Sequence, residues 1–135
     1  MSKRRIRVVS AAIKKQGHYL ITQRNERAVL PLLWEFPGGK VEDGETDQEA
    51  LARELHFRLG IEAVIQDHLT HTEREYNDYI VELHLYRCEL GPLSPQPLTV
   101  RDVRWVRPDE LDGYDFTPAD QISMDALLFG GYSVH

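Results

Sequence analysis

The chain contains a single cysteine, Cys88, among its 135 residues. An internal disulfide is therefore excluded, and no spacing for a zinc centre is present. No apolar run approaches the roughly 20 residues that a membrane-crossing helix needs. No charged start leads into an apolar stretch with a small-residue cleavage site, so no secretory signal is expected. Positive charge is also short: Lys and Arg number 16 against 22 Asp and Glu, for a net charge of -6. A broad grip on polymeric nucleic acid is thereby excluded, although the opening MSKRRIR is locally basic. Repeats, low-complexity tracts and linkers are missing too. What remains is 41% hydrophobic and 28% charged, an ordinary globular composition. The expectation is one domain over residues 1–135, with no membrane partner, in a reducing cytoplasm.

Residues 5–14 (RIRVVSAAIK) are apolar and partly β-branched and read as a buried strand. A turn at Gly17 returns the chain as a second strand over 18–23, giving a hairpin. Residues 24–33 read as a loop, and 34–36 as a short extended piece ended by Pro37-Gly38-Gly39. Thr46 and Glu49 form a capping box, so a helix should start at Asp47 and stop at Gly60. On that helix Leu51, Ala52, Leu55 and Leu59 share an apolar arc. Glu54 and Arg58 sit together at its edge, one turn apart. Residues 61–70 read as a strand. HLTHTERE at 68–75 reads as a solvated loop or strand end, with His71 a poor candidate for a metal ligand. YIVELHLYRC at 79–88 alternates: Tyr79, Val81, Leu83 and Leu85 face one way, Glu82 and His84 the other. GPLSPQP at 91–97 is a loop, 103–106 a further strand, and 108–111 one helical turn. Thr117-Pro118 opens a last helix that Gly130-Gly131 should end.

The stretch from Gly38 to Glu54 carries the chemistry. Its glycines allow close backbone approach or a tight turn, and Lys40 adds a cation. Glu42, Asp43, Glu45 and Glu49 crowd acid into the loop and first helical turn, where a helix N-terminus also favours it. The order is more specific than the composition. Gly39 is followed after five residues by Glu45, and after seven more by Arg53-Glu54-Leu55, then by Gly60-Ile61. This resembles the Nudix box, G-x5-E-x7-R-E-U-x-E-E-x-G-U with U aliphatic. WEFPGGKVE at 34–42, TQR at 22–24 and FTPAD at 116–120 also resemble segments of MutT-like members, so the resemblance covers nearly the whole chain.

The resemblance implies an α+β fold, an α/β/α sandwich around a mixed sheet. It implies hydrolysis of nucleoside triphosphates to a monophosphate and pyrophosphate, with Mg2+ or Mn2+, and oxidised purine nucleotides such as 8-oxo-dGTP as first substrates to try. Arg53 would brace Glu45, and Glu54 would be a metal ligand or base. Lys40 and Arg24 would serve substrate, and Asp120 a base. Phe116 is a candidate for stacking on that base as well as for the core. Glu35, turned opposite to Trp34 and Phe36, would face the cleft.

The box departs from the pattern at Phe57 and Arg58, where two further acids usually bind magnesium. Phenylalanine offers no oxygen, and arginine only donors. Two readings stay open. Glu54, the Gly38 carbonyl and an outside acid, Asp102, could hold one ion in a weakened site, water and phosphates filling its shell. Alternatively Arg58 grips phosphate in the ion's place, and the domain binds nucleotides without cutting them, as a sensor or interaction module. His84 reads as a sheet-face residue and Cys88 as inert.

Overall fold

In the computed structural model, which describes residues 3–129, the first apolar run forms β1, Arg4–Lys15. It turns at Gln16-Gly17 into β2, His18–Gln23. β6, Tyr79–Leu90, runs parallel to β1, and β5, Ala63–Glu75, pairs antiparallel with β6. β3, Trp34–Glu35, and β7, Asp102–Val106, both add to β2. The sheet is therefore mixed and has seven strands.

Alternation along β1 and β6 separates two cores. Val9, Ala11 and Ile13, with Tyr86 and Cys88, pack under α1, Asp47–Leu59. Ala12 and Leu85 face the other way, toward Met124 of α2, Pro118–Phe129. One helix on each face of a pleated sheet is the layered arrangement that buries both of its apolar sides.

The structure corrects the sequence reading in places. Pro37-Gly38-Gly39 does not simply break the chain, because Gly38–Lys40 is a short strand, β4, paired with β1. A methyl group added at Gly38 would overlap the Val9 carbonyl, so the absent side chain is what permits this pairing. Of the loop and strand-end readings of HLTHTERE, the structure supports the strand end. The stretch lies inside β5, whose pairing with β6 shifts register between Ile65 and Thr70. Period-2 apolar patterning is weak there because both sides of β5 carry polar groups after Leu69. On α1, Ala52 is exposed and Ala50 takes its place in the core. The 108–111 turn is a 3-10 helix extending to Gly113. The proposed stop at Gly130-Gly131 lies outside the described residues.

α1 begins and ends on the expected signals. Thr46 Oγ1 accepts from the Glu49 N–H at 3.1 Å, and Glu49 Oε1 accepts from the Thr46 N–H at 2.9 Å. Gly60 supplies the left-handed stop at φ 67°. The first turn is also tied to the sheet. Arg7 forks onto Asp47 at 2.7 and 2.8 Å, and the Tyr86 hydroxyl donates to the same carboxylate at 2.5 Å. The Arg7 bonds, aided by Tyr86, hold the Asp47 carboxyl down at about 2. A depressed carboxylate stabilises the fold above its ordinary value and loses that contribution as pH falls. Stability should therefore drop by roughly 2 kcal/mol between about pH 4 and pH 2 through this group. Urea unfolding across that window should show the slope, and Asp47→Asn should flatten it.

Candidate active site

A trough runs across the face of the central strands β1 and β6 and past β4 toward α1. One end is a cleft of about 490 Å3 floored by Ile6, Val8, Val81 and Leu83. Tyr76 and Tyr79, stacked at 5.1 Å, wall it on one side, and Asp120 of α2 on another. The middle is narrower and holds Arg24, Glu35, Gly38, Gly39, Lys40, Arg58 and Asp120. The other end opens between Lys40, Arg53, Glu54 and Arg58. Val29 and Leu30 of the 24–33 loop reach the rim of the large cleft. Leu30 and Leu32 hold left-handed backbone at φ 56° and 64°, a conformation costly for a branched side chain and often found near ligands.

Gly38–Lys40 lies against β1 while α1 crosses beside it, so the helix edge bearing Glu54 comes against Gly39. A methyl group at Gly39 would overlap the Glu54 carboxylate. The missing side chain thus makes the cradle in which that acid sits. Glu54 is only 6% exposed. Arg58 Nε donates to its Oε1 at 3.0 Å, and Arg53 NH1 stands 3.5 Å from its Oε2. Arg53 also forks onto Glu45 at 2.8 and 2.9 Å and donates to the Lys40 carbonyl at 3.0 Å. The Arg53 bonds, with the Glu42 N–H, hold Glu45 down at about 2. One guanidinium therefore joins loop to helix on two sides.

Glu35 does turn away from its aromatic neighbours, which are buried. Arg24 NH1 donates to it at 3.1 Å and holds the Val29 carbonyl with Nε at 2.7 Å. Burial pushes the Glu35 carboxyl up, against the pull of Arg24 and Arg58. Asp120 accepts from the Phe36 N–H at 3.0 Å and from the Thr117 hydroxyl at 2.6 Å. Burial, then the charge of Glu35, pushes it up to about 7. Two mutually repelling carboxyls, one at each side of the narrow middle, make that part of the trough a place where a proton is held.

Two expected site residues are not brought here. Phe116 is 7% exposed and packs against Phe36 at 6.1 Å, so its ring is core and cannot stack on a base. Asp102 turns back onto its own strand. It accepts from the Val103 N–H at 2.8 Å and from Arg104 at 3.1 Å, and it lines none of the three parts of the trough. Phe57 is 60% exposed and also stays off the trough walls, so of the two departing box positions only Arg58 reaches the ground near Glu54. Sequence reasoning missed Tyr76 and Tyr79 as cleft walls, since nothing local marks the tip of the β5–β6 hairpin as a binding surface.

Nudix hydrolases generally use a divalent metal such as magnesium. The cradled Glu54 carboxylate, with Glu35 and the Gly38 backbone carbonyl nearby, offers hard oxygens for one such ion. Arg24, Lys40, Arg53 and Arg58 line the same stretch of the cleft, cations suited to phosphate oxygens.

A mixed sheet between two helices, with a cleft of acids and arginines beside a glycine-containing strand, is an α/β/α sandwich within the α+β class. Residues 8–126 match the NUDIX domain, and the chain belongs to that family, on its MutT-like side. It is 35% identical over 123 residues to the CTP pyrophosphohydrolase of Escherichia coli, covering 91% of each chain. It is 33% identical over 129 residues to the 8-oxo-dGTP diphosphatase of Haemophilus influenzae, covering 95% of each. The solution structure of MutT from a methicillin-resistant Staphylococcus aureus, 37% identical, superposes with a TM-score of 0.77 over 96% of this chain and 100% of that one. The chain is accordingly a hydrolase of phosphoric anhydrides. Among the described residues no helix is long and apolar enough to cross a membrane.

Proposed function

We propose that this protein hydrolyses a nucleoside triphosphate to the monophosphate and pyrophosphate, using one divalent ion, Mg2+ or Mn2+, held through Glu54. The observation that carries the reading is the trough itself. Its wide end is apolar and aromatic with one buried carboxyl, suited to a base. Its far end gathers Lys40, Arg53 and Arg58, suited to a phosphate chain.

The ion would lower the pKa of a water and polarise a phosphoryl oxygen. The chain's own residues supply the rest. Lys40 and Arg58 hold phosphate oxygens, and Arg53 with Glu45 fixes the loop on which Lys40 stands. The water oxygen bonds to phosphorus, the anhydride P–O bond breaks, and pyrophosphate leaves. The water's proton passes to a cleft carboxylate. Glu35, whose proton affinity is raised by burial, and Glu54 are the two in the middle and far parts of the trough. Arg24 steadies Glu35. Tyr76 and Tyr79 border the base. Asp120 reads it, and near neutral pH that carboxyl can donate as well as accept. Cytosine and oxidised guanine are the bases to test first, given the names of the two relatives. A cytoplasmic setting, with its free nucleotides and magnesium, belongs to the same reading.

A panel of CTP, dCTP, dGTP and 8-oxo-dGTP, assayed for pyrophosphate with Mg2+ and with Mn2+, tests it. One of the four should turn over well above the others. Asp120→Ala should raise KM for that nucleotide about tenfold or more while moving kcat less, since it removes a base contact and not a reacting group. Nucleotide binding without pyrophosphate release under either metal would instead establish the binding-module reading, which the Arg58–Glu54 pairing favours.

A further inference from the structure

The face of the sheet turned away from the trough carries a second cluster of ligating side chains. Val81 and Leu83 look into the trough, so Glu82 and His84 stand on the opposite face. His71 of β5 is the register partner of His84, and the two imidazoles stack in parallel planes at 4.3 Å. One ligand atom from each of His71, Glu82 and His84 lies within 4.8 Å of the other two.

Within this cluster His84 has an unmet need. It is 7% exposed, and its Nε2 is buried with no hydrogen-bond partner. A buried polar atom left so costs free energy that a bound group would recover. The ring's other nitrogen, Nδ1, lies 2.9 Å from His68 Nε2. With the proton on Nδ1, His84 donates to His68 and keeps a free lone pair on Nε2. That outer contact is the kind that fixes the tautomer and orientation of a metal-bound imidazole. Arg5 pairs with Glu73 and Glu82, and Arg7 pairs with Asp47 and stands 3.9 Å from Glu82. A bound ion therefore shares the Glu82 carboxylate with two guanidinium groups, each of which keeps a second carboxylate of its own, Glu73 or Asp47.

We propose that His71, Glu82 and His84 bind a divalent first-row transition metal of the zinc, cobalt or nickel class, on the sheet face opposite the nucleotide trough. Two imidazoles and a carboxylate suit such borderline ions better than magnesium, which prefers oxygen throughout. Water completes the shell. Each imidazole lone pair lies in its own ring plane, so two parallel rings cannot both aim at one ion. His71, with its side chain 44% exposed, turns to meet it, and the stack opens. The ion then clips β5 to β6, below the register shift in that pairing.

The test is titration of the chelator-washed full chain with Zn2+ and, separately, Co2+, in excess Mg2+, followed by imidazole NMR. One equivalent of zinc should shift His68, His71 and His84 and leave His18 and His56 in place, and cobalt should broaden the same three. His71→Ala and Glu82→Gln should each weaken zinc binding at least about tenfold, with unchanged circular dichroism in the absence of metal. Glu54→Gln should leave it intact. Unmoved His71 and His84 signals, parental affinity in His71→Ala, or loss of zinc binding in Glu54→Gln would each overturn the proposal.

Discussion

Glu54→Gln should lower magnesium-dependent nucleotide hydrolysis by about 100-fold or more. The substitution is nearly isosteric, and the buried amide still accepts from Arg58 and packs against Gly39. It removes the charge that a divalent ion requires and a seat for the water's proton. Because Arg53 remains forked on Glu45, the loop carrying Lys40 stays in place, so nucleotide KM should move far less than kcat. Steady-state kinetics over a magnesium series check this. An unchanged kcat would mean that the ion is held elsewhere and that Glu54 is only a partner for the arginines.

Arg58→Glu should have the second largest effect, and in the opposite direction. Arg58 lies four residues after Glu54, pairs with it, and lines both the middle and the far part of the trough. A divalent ion at Glu54 must displace that guanidinium. The pair is buried on the Glu54 side, so displacing the guanidinium costs more than the ~0.3–0.5 kcal/mol of an exposed pair, and the positive charge stays close. Replacing it with a carboxylate supplies a hard ligand and removes the repulsion. The concentration of Mg2+ giving half-maximal activity should fall about tenfold or more, while nucleotide KM should rise because a phosphate-holding cation is lost. Adding Phe57→Glu should contribute little further, because Phe57 points to solvent. If the double variant alone gains activity, the helix must turn in the loaded enzyme and bring position 57 to the ion.

Much of this was legible in the chain itself. The capping box and Gly60 fixed α1 to the residue, since both ends carry side-chain or backbone chemistry that only a helix terminus uses. The alternation from Tyr79 sorted the residues of β6 into two faces, one of which turns out to floor the trough through Val81 and Leu83. The resemblance carried by the spacing from Gly39 to Glu54 implied the arginine brace and the acid that the structure brings together. Other features depend on contacts between distant residues. Phe116 follows a motif-like stretch, yet its ring is claimed by Phe36 and the α2 core. Asp102 opens β7, which pairs with β2, and its own neighbours use up its oxygens. β5 continues to Glu75 because β6 offers it a full ladder, an inducement that local composition does not carry. The tyrosine wall of the cleft exists only once that hairpin closes.

The glycine at position 39 has a mechanical meaning. The space that a side chain would take is filled by a carboxylate from a helix, so loop and helix are fitted to each other with less than one methyl group of slack. The acid's position is therefore a property of two backbones, and its own rotamer has little freedom within it. Thermal motion that slides α1 along the sheet would carry Glu54 out of register with the loop, and the Arg7–Asp47–Tyr86 tie at the start of that helix is the brake on such sliding. Reaction geometry in this protein is thus set partly from the far face of the sheet, by residues that never meet a nucleotide.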